Sequence, residues 1–300
     1  MLSVHGPFAS GTADRVELQF NKDGSTTITD SLGNARRYAF GVDHGVARLA
    51  SLDAPCDDCA SVAAARTYDS NGYPASRTDF RGNTTRYAYN ARGLQTQRIE
   101  AANDFGGSKR TIQTDWHASF RQPIARRTYD AADRLVAETS FTYNSRGQVL
   151  SETRRDPETS ISRTTTTTYC EPADASAGTC PLVGLPISTK GPRTDISDTT
   201  TYVYHQTDHG DCKVAPTACA YRKGDLWKII DPLGRITAFP TYDGAGRRLS
   251  SVDPNGVETN YEYHPRGWMT AEKVRGPDDS TESDDRITRT DYRPTGLPAW

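Results

Sequence analysis

The sequence predicts an all-β protein in which short antiparallel hairpins repeat along the chain. Three observations favour this fold class. Hydrophobic residues make up only 35% of the 300 residues and the mean hydropathy is −0.72, whereas tyrosine (15) and glycine (24) are frequent. This composition is typical of many short strands joined by tight turns. The other two observations are a recurring turn signature and the even spacing of those turns.

The turn signature is Asp or Asn followed three residues later by Gly. The Asp or Asn side chain caps a type I turn, and Gly accepts the left-handed conformation that follows, as in three- to five-residue hairpin loops. Eleven of the 24 glycines fit the signature. The predicted turns are Asn21–Gly24, Asp30–Gly33, Asp69–Gly72, Asp79–Gly82, Asn90–Gly93, Asn103–Gly106, Asp104–Gly107, Asn144–Gly147, Asp231–Gly234, Asp243–Gly246 and Asp253–Gly256.

The spacing of these turns sets the length of the predicted strands. Gly72, Gly82 and Gly93 are 10 and 11 residues apart, and the glycines from Gly234 to Gly267 follow at intervals of 12, 10 and 11. Subtracting the turn leaves an ordinary strand length. Two strands and two turns then form a unit of about 21 residues, which cannot bury a face alone and must stack on its neighbours. The chain is therefore predicted to be a repeat array.

Along the chain, the pattern predicts four segments. Residues 1–20 are a weakly patterned lead-in, 21–150 a first repeat array, 151–230 a Thr-rich and Cys-containing insertion that interrupts the array, and 231–300 a second array. Aromatic residues that alternate with polar ones, or that precede a turn, are expected to pack between strands. These residues are Tyr68, Tyr87, Tyr89, Tyr129, Tyr143, Tyr242, Tyr261 and Tyr263.

The phrases themselves resemble a known family. "TYDGAGRRLSSVDPNGVETNYEY" (241–263), "DPLGRIT" (231–237) and "TYDSNGYPASRTDFRGNTTRYAYNARGL" (67–94) resemble the YD repeat of RHS-repeat proteins. That family includes bacterial polymorphic toxins, shell subunits of insecticidal Tc-type toxins and animal teneurins. The resemblance implies a spiralling β-sheet that forms part of a hollow shell. It also implies, as partners, the rest of the shell and a C-terminal toxin enclosed by it.

The net charge and the hydropathy limit the classes of partner that the sequence predicts. The 36 basic and 38 acidic residues give a net charge of −2, so the sequence predicts no electrostatic surface for nucleic acid or for an anionic membrane. The sequence shows neither a signal peptide nor an apolar stretch long enough for a membrane span. Because of the resemblance, we expect the chain to be secreted or cell-surface as part of a larger exported protein.

The six cysteines fall into three local pairs outside the clear repeats. In an exported chain this arrangement favours three loop-closing disulfides, although reduced thiols and, for the first pair, a redox motif stay open. A tetrahedral zinc site is a further alternative, because two His and two Cys lie close in sequence. The disulfide candidates are Cys56 with Cys59, Cys170 with Cys180, and Cys212 with Cys219; the alternative zinc ligands are His205, His209, Cys212 and Cys219.

The sequence contains no nucleophile motif, phosphate loop or dinucleotide fingerprint, so we predict no enzyme and no cofactor. His264 replaces the repeat Asp and is interpreted as a turn residue. Arg134, Arg235 and Arg247 follow turns; they are expected to pair across strands with acidic neighbours, or alternatively to bind a glycan or polyanion. The predicted function is a toxin-enclosing shell segment. The alternatives are a surface adhesion module that binds carbohydrate or a cell-surface protein, and a hydrolase within 151–230.

Overall fold

The fold is described from a computed structural model. The structure describes residues 2–4, 15–43, 45–53, 64–104, 106–278 and 281–299. The chain divides into two compact units: unit 1 comprises Met1–Phe141 and Arg154–Ser162, and unit 2 comprises Thr142–Thr153 and Arg163–Trp300. The two units are described separately below.

Unit 1 is an antiparallel meander in which each strand pairs with the next one along the chain. Its strands are β1 (Leu2–Val4), β2 (Val16–Phe20), β3 (Thr26–Thr29), β4 (Ala35–Asp43), β5 (Val46–Leu52), β6 (Ala65–Tyr68), β7 (Pro74–Thr78), β8 (Thr84–Tyr89), β9 (Gln95–Glu100), β10 (Arg110–Trp116), β11 (Pro123–Tyr129) and β12 (Leu135–Tyr143). Strands β1 and β2 place sheet structure within the predicted lead-in.

Unit 2 follows the same meander, with β14 to β22 each antiparallel to its successor. Its elements are β13 (Val149–Arg155), β14 (Ser162–Tyr169), helix α1 (Pro172–Ser176), β15 (Pro186–Lys190), β16 (Thr199–Tyr204), a 3₁₀ turn (Gly210–Lys213), β17 (Leu226–Ile230), β18 (Ile236–Ala238), β19 (Ser250–Val252), β20 (Glu258–Tyr263), β21 (Met269–Val274) and β22 (Arg286–Arg289).

The sheet thus continues through the segment predicted to interrupt it. Strands β14 to β17 lie within 151–230 and pair in sequence, so the expectation of an interrupted array is wrong. Two features explain the difference. The Thr-rich run 162–169 is a strand, as its β-branched side chains favour, and longer loops replace the four-residue turns on either side of β15 and β16.

Neither unit depends on a thick apolar core. Buried hydrophobic side chains among the described residues include Leu52, Leu94, Phe239 and Ala271, scattered along the two meanders. Hydrogen bonds between hydroxyl groups join neighbouring strands instead, and each pair contributes modestly to the stability of the sheet. These cross-strand pairs are Thr67–Ser76, Thr78–Thr84, Thr142–Ser151, Thr153–Thr164 and Thr241–Ser250, at oxygen–oxygen distances of 2.6–3.1 Å.

Candidate functional site

The turns share one hydrogen-bond arrangement. At Asp69, the carbonyl accepts from Gly72 N at 2.9 Å and one carboxylate oxygen accepts from both Asn71 N and Tyr73 N at 2.9 Å. Gly72 has φ +78°, the left-handed region that a glycine adopts without steric cost. The structure places the same donors around Asp79, Asn90, Asn144, Asp231, Asp243 and Asp253, with left-handed Gly82, Gly93, Gly147, Gly234, Gly246 and Gly256.

At Asp79 and Asp253 the turn favours the charged form of the carboxylate. The side chain of Asn83 donates to Asp79 and lowers the pKa of that carboxyl group, while the backbone N–H of Val257 lowers the pKa of Asp253. Hydrogen bonds to an ionised carboxylate favour the ionised state. These aspartates therefore serve as backbone caps.

Consecutive turns lie at opposite ends of the strands, because each strand reverses direction. From β6 onward, an aromatic residue directly precedes each turn or loop at one end of the strands, and we call this end of each unit its aromatic edge. Where the register is described, most of these residues sit at a β-bulge. The aromatic-edge residues are Tyr68, Tyr89 and Trp116 in unit 1, and Tyr143, Tyr169, Tyr204, Tyr242, Tyr263 and Tyr292 in unit 2.

At least five of these side chains donate a hydrogen bond backwards along the aromatic edge, which we call the edge hydrogen bond. The acceptor is a backbone carbonyl of the strand that follows the preceding aromatic-edge turn or loop, so each bond joins one hairpin to the one before it. The pairs are Tyr68 Oη to Leu49 O (3.0 Å), Trp116 Nε1 to Gln95 O (2.9 Å), Tyr204 Oη to Pro186 O (2.7 Å), Tyr242 Oη to Leu226 O (2.5 Å) and Tyr292 Oη to Met269 O (2.9 Å).

The edge hydrogen bonds in the middle of unit 2 are the most buried. Tyr204 and Tyr242 are 8% and 6% exposed, and burial raises the pKa of both phenols to about 12. A neutral phenol can donate to a carbonyl, whereas a phenolate cannot. The buried, neutral hydroxyl is therefore a stable structural donor here.

The other predicted aromatic residues lie in different surroundings. Tyr89 packs against Tyr73 with ring centroids 5.0 Å apart, and the Tyr261 hydroxyl lies 3.0 Å from Ser251 Oγ. Burial raises the pKa of Tyr89, as it does for two further aromatic-edge residues, Tyr143 and Tyr263. Tyr87 is half-buried in β8, whereas Tyr129 precedes a turn at the opposite end of the strands.

Arginines add a second set of contacts along the aromatic edge, and sequence reasoning missed them. Each precedes the turn glycine and reaches forward to the next aromatic-edge turn or loop. Arg92 donates to four successive carbonyls, of residues 117 to 120, at 2.6–3.2 Å. Arg146 forms a bidentate pair with Glu171 at 2.7 and 2.8 Å, and Arg266 donates to Pro294 O at 2.8 Å. The Arg-Gly dipeptide that recurs in these turns is the sequence signal that could have predicted these contacts.

The arginines singled out from the sequence behave differently. Arg134, Arg235 and Arg247 each pair with the aspartate four residues earlier, at 2.7, 2.6 and 2.5 Å, within their own turn. The expected acidic partner is therefore present in each case, but it is the capping aspartate that faces the arginine across its own turn. The turn brings positions i and i+4 together at the ends of its two strands, so the nearest carboxylate is the capping one.

Histidine can replace aspartate as the turn cap. His264 Nδ1 accepts from Arg266 N at 3.1 Å, and His117 Nδ1 accepts from Ser119 N and Phe120 N at 3.1 Å. In both turns an aromatic-edge residue, Tyr263 or Trp116, lies directly before the histidine. Sequence reasoning placed His264 in a turn but missed His117 and Trp116, for which an aromatic residue followed by histidine would have been the signal.

The two longest described loops at the aromatic edge of unit 2 are closed by disulfides. Cys170–Cys180 and Cys212–Cys219 have Cα–Cα distances of 6.0 and 4.7 Å, within the usual range. These two predicted pairs are confirmed. The third predicted pair, Cys56 and Cys59, lies outside the described residues.

The alternative zinc site is wrong, because Cys212 and Cys219 share a disulfide and so offer no thiolate to a metal. The two histidines pack on an aromatic ring instead. His205 stacks on Tyr221 at 3.6 Å between ring centroids, and His209 meets the same ring edge-on at 5.0 Å. Burial lowers the pKa of His205. Within the described ranges, no three His, Cys, Asp or Glu side chains are grouped to hold a metal.

The fold and the aromatic edge define a β-hairpin repeat protein whose successive hairpins are joined at their turns. The RHS Repeat family matches residues 222–258 and 242–281 of this chain. Residues 222–281 therefore carry RHS repeats, and this matched segment includes the turns Asp231–Gly234, Asp243–Gly246 and Asp253–Gly256. No curated protein matches the sequence.

Several solved structures are similar to the chain. The crystal structure of TcdB2-TccC3-Cdc42 matches with 14% identity and a TM-score of 0.48, over 93% of this chain and 15% of that one. TcdB2-TccC3 without its hypervariable C-terminal region matches with 14% identity and a TM-score of 0.49, over 92% and 15%. The Tc holotoxin pore of Photorhabdus luminescens, with the TccC3 D651A mutation, has 16% identity, a TM-score of 0.33 and coverages of 93% and 15%. The chain thus spans about 15% of the length of these chains.

Proposed function

We propose that this chain is part of the wall of a container that encloses a toxin located C-terminally in a longer RHS-repeat protein. One observation carries the proposal: each unit is an antiparallel meander, and most of its described strands present polar, half-exposed side chains on both faces. In β20 and β21, for example, the cross-strand neighbours Tyr261 and Glu272 lie on one face, while Glu262 and Lys273 lie on the other.

A sheet of this kind is suited to stand between two aqueous spaces. Without an apolar face it gains little from packing on a second layer. Strength along the wall comes from the strand ladder, the capped turns and the edge hydrogen bonds between successive hairpins. On this proposal, the wall acts mechanically: it keeps an enclosed polypeptide away from solvent and proteases until delivery, and it is exported as part of the larger protein.

The repeat motif, as well as the sheet, supports the proposal of a container wall. Residues 222–281 carry the RHS repeat, and the same turn arrangement occurs around Asp30, Asp69, Asp79 and Asn90 in unit 1. We infer that unit 1 forms the same type of wall. The rest of the shell and its cargo are then the expected partners.

Protease protection tests the container. The full protein that contains this chain is treated with a nonspecific protease, and fragments are identified by mass spectrometry. We expect a polypeptide segment outside the repeats to survive with the repeat array, and to be cleaved rapidly when expressed alone. Cleavage at the same rate in both preparations would contradict the proposal.

A surface adhesion function is the second candidate, and one groove favours it. A cavity of about 480 Å³ lies along β9 and β10, where Gln97, Gln113, Asp115 and Trp116 contribute to the lining. Gln97 and Gln113 are cross-strand neighbours. Amide, carboxylate and indole groups together can hydrogen-bond hydroxyls and pack on a sugar ring.

A glycan array decides between the two candidates. Binding of this chain that persists when charges are largely screened by about 0.5 M salt, and that is lost in Gln97→Ala with Gln113→Ala, would favour adhesion. A matched control is Gln19→Ala, on β2 outside the groove. The absence of glycan binding leaves the container as the better account.

A further inference from the structure

Two disulfide-closed loops lie next to each other along the aromatic edge of unit 2. The first connects β14 to β15 and contains Cys170–Cys180; the second connects β16 to β17 and contains Cys212–Cys219. All four cysteines are at most 9% exposed. Together they supply much of the buried interior described in unit 2.

The loops pack in series rather than projecting separately. Leu182 of the first loop lies over Gly224 of the second, where an added Cβ would be 2.5 Å from the Leu182 Cδ1 atom. The second loop in turn lies over the next turn, since a Cβ on Gly244 would be 3.2 Å from the Thr217 carbonyl oxygen. Movement of either loop would therefore disturb its neighbour.

Each loop also positions the acceptor of an edge hydrogen bond. Pro186, which follows the first loop, accepts from Tyr204, and Leu226, which follows the second, accepts from Tyr242. These two tyrosines are buried. By contrast, the edge hydrogen bonds of Tyr68 and Trp116 in unit 1 have no described disulfide beside them.

We propose that the two disulfides form a redox-sensitive lock on strands β15 to β18. In a thiol-rich compartment their reduction would free both loops, weaken the edge hydrogen bonds of Tyr204 and Tyr242, and open this part of unit 2 while unit 1 stays folded. Only the consequence of the lock rests on the proposed function: if the chain is a container wall, its opening would favour release of the contents.

The chemistry is ordinary thiol–disulfide exchange. A glutathione thiolate attacks one cysteine sulfur, the S–S bond breaks, and a mixed disulfide forms with the released cysteine as leaving group. A second glutathione resolves the mixed disulfide. Each protein disulfide gains two electrons and two protons to give two thiols, and two glutathione molecules become one glutathione disulfide.

The expected effect follows from loop closure. Disulfides that close loops of this length restrict the open chain enough that, without them, the local opening equilibrium rises roughly 100-fold. Since the sulfurs are buried, attack requires transient opening of the loop, and reduction is expected to be slow in the native state. Once reduced, the loops are held only by hydrogen bonds and packing.

Hydrogen–deuterium exchange on the complete chain tests the lock. The oxidised protein is compared with protein treated with glutathione, and alkylation with mass spectrometry establishes which cysteines are reduced; Cys56 and Cys59 are followed on their own peptide. We expect exchange to accelerate by one to two orders of magnitude in 170–190 and 205–230, with β9 to β11 of unit 1 as an internal reference that does not change.

Paired variants separate the two loops. Cys170→Ser with Cys180→Ser should loosen mainly the first loop, and Cys212→Ser with Cys219→Ser mainly the second; if either fails to fold, the oxidised and reduced forms of the natural chain still give the comparison. The proposal is overturned if reduced loops exchange as slowly as oxidised ones, if unit 1 opens to the same extent, or if glutathione never reduces the pairs. None of these readouts needs a cargo, so failure of the lock and failure of the container are distinguishable.

Discussion

Replacement of Tyr242 by phenylalanine isolates a single edge hydrogen bond. The substitution keeps the ring, which is buried to 6% exposure, and removes only the hydroxyl that donates to Leu226 O at 2.5 Å. Nothing else in the turn is altered, because Asp243 continues to accept from Ala245 N and Arg247 N. The variant therefore measures what the link between two hairpins contributes.

The expected loss is about 1–2 kcal/mol of unfolding free energy. A hydrogen bond contributes about 1 kcal/mol net, and leaving a buried carbonyl without its donor adds a desolvation cost. For a unit of this size, that loss corresponds to a decrease in melting temperature of roughly 3–6 °C. Tyr242→Ala should cost about 3–5 kcal/mol, since the cavity left by the ring adds to the lost bond.

Thermal and urea unfolding, followed by circular dichroism and by tryptophan fluorescence, provide the assay. The matched control is Tyr202→Phe in β16 of the same unit, whose hydroxyl has no hydrogen bond within the described ranges; it should change stability by less than about 0.5 kcal/mol. If Tyr242→Phe and Tyr202→Phe lose the same stability, the edge hydrogen bond contributes nothing and the reasoning fails.

Three further predictions concern the turns and the phenols. Gly246→Val should cost about 1–3 kcal/mol in urea unfolding, because Gly246 has φ +77° and no atom lies within 4 Å to add a clash; an unchanged midpoint would contradict the turn assignment. Asp133→Gly should raise the melting temperature, with a gain of about 0.5–1 kcal/mol, since Asp133 occupies φ +58° where the repeat has glycine; a lower melting temperature would mean that its exposed ion pair with Lys109 outweighs the strain. The pKa of Tyr204 and Tyr242 is raised from 10.0 to about 12, so their contribution to the free energy of unfolding is present below pH 10 and is lost as the pH rises towards 12. Absorbance at 295 nm, which reports phenolate, and circular dichroism, which reports the sheet, check this together. Phenolate formation with the full sheet signal retained would contradict it.

The features that sequence reasoning could predict are local ones. The turn at Asp243 needs only residues 243 to 247, and each is present in the printed sequence. Cys170 and Cys180 are separated by 10 residues, so their pairing needs little knowledge of the fold. The period of strands and turns follows from the same short-range pattern.

The features that it missed depend on which hairpins become neighbours. Trp116 donates to Gln95 and Tyr242 to Leu226, at separations of 21 and 16 residues. These separations vary with loop length, so no fixed spacing marks the partners. The same limitation explains the error over 151–230: a turn signature was treated as necessary for strand pairing, whereas loops closed by disulfides bring β14, β15 and β16 into register equally well.

The aromatic edge and the opposite edge differ in how closely their turns pack. Gly72, Gly224 and Gly296, at the aromatic edge, each lie against a side chain of the preceding hairpin, although Gly246 does not, whereas Gly234 and Gly256, at the opposite edge, have no atom within 4 Å of an added Cβ. Because the faces of the sheet are polar, this asymmetry concentrates tertiary contact along one line of each unit. Damage to a turn at the aromatic edge should therefore weaken two hairpins, while the same substitution at the opposite edge weakens one. A sheet held mainly at one edge can lose a few adjacent contacts and open locally, and the buried disulfides lie where such opening would otherwise begin, in the two longest described loops of that edge in unit 2.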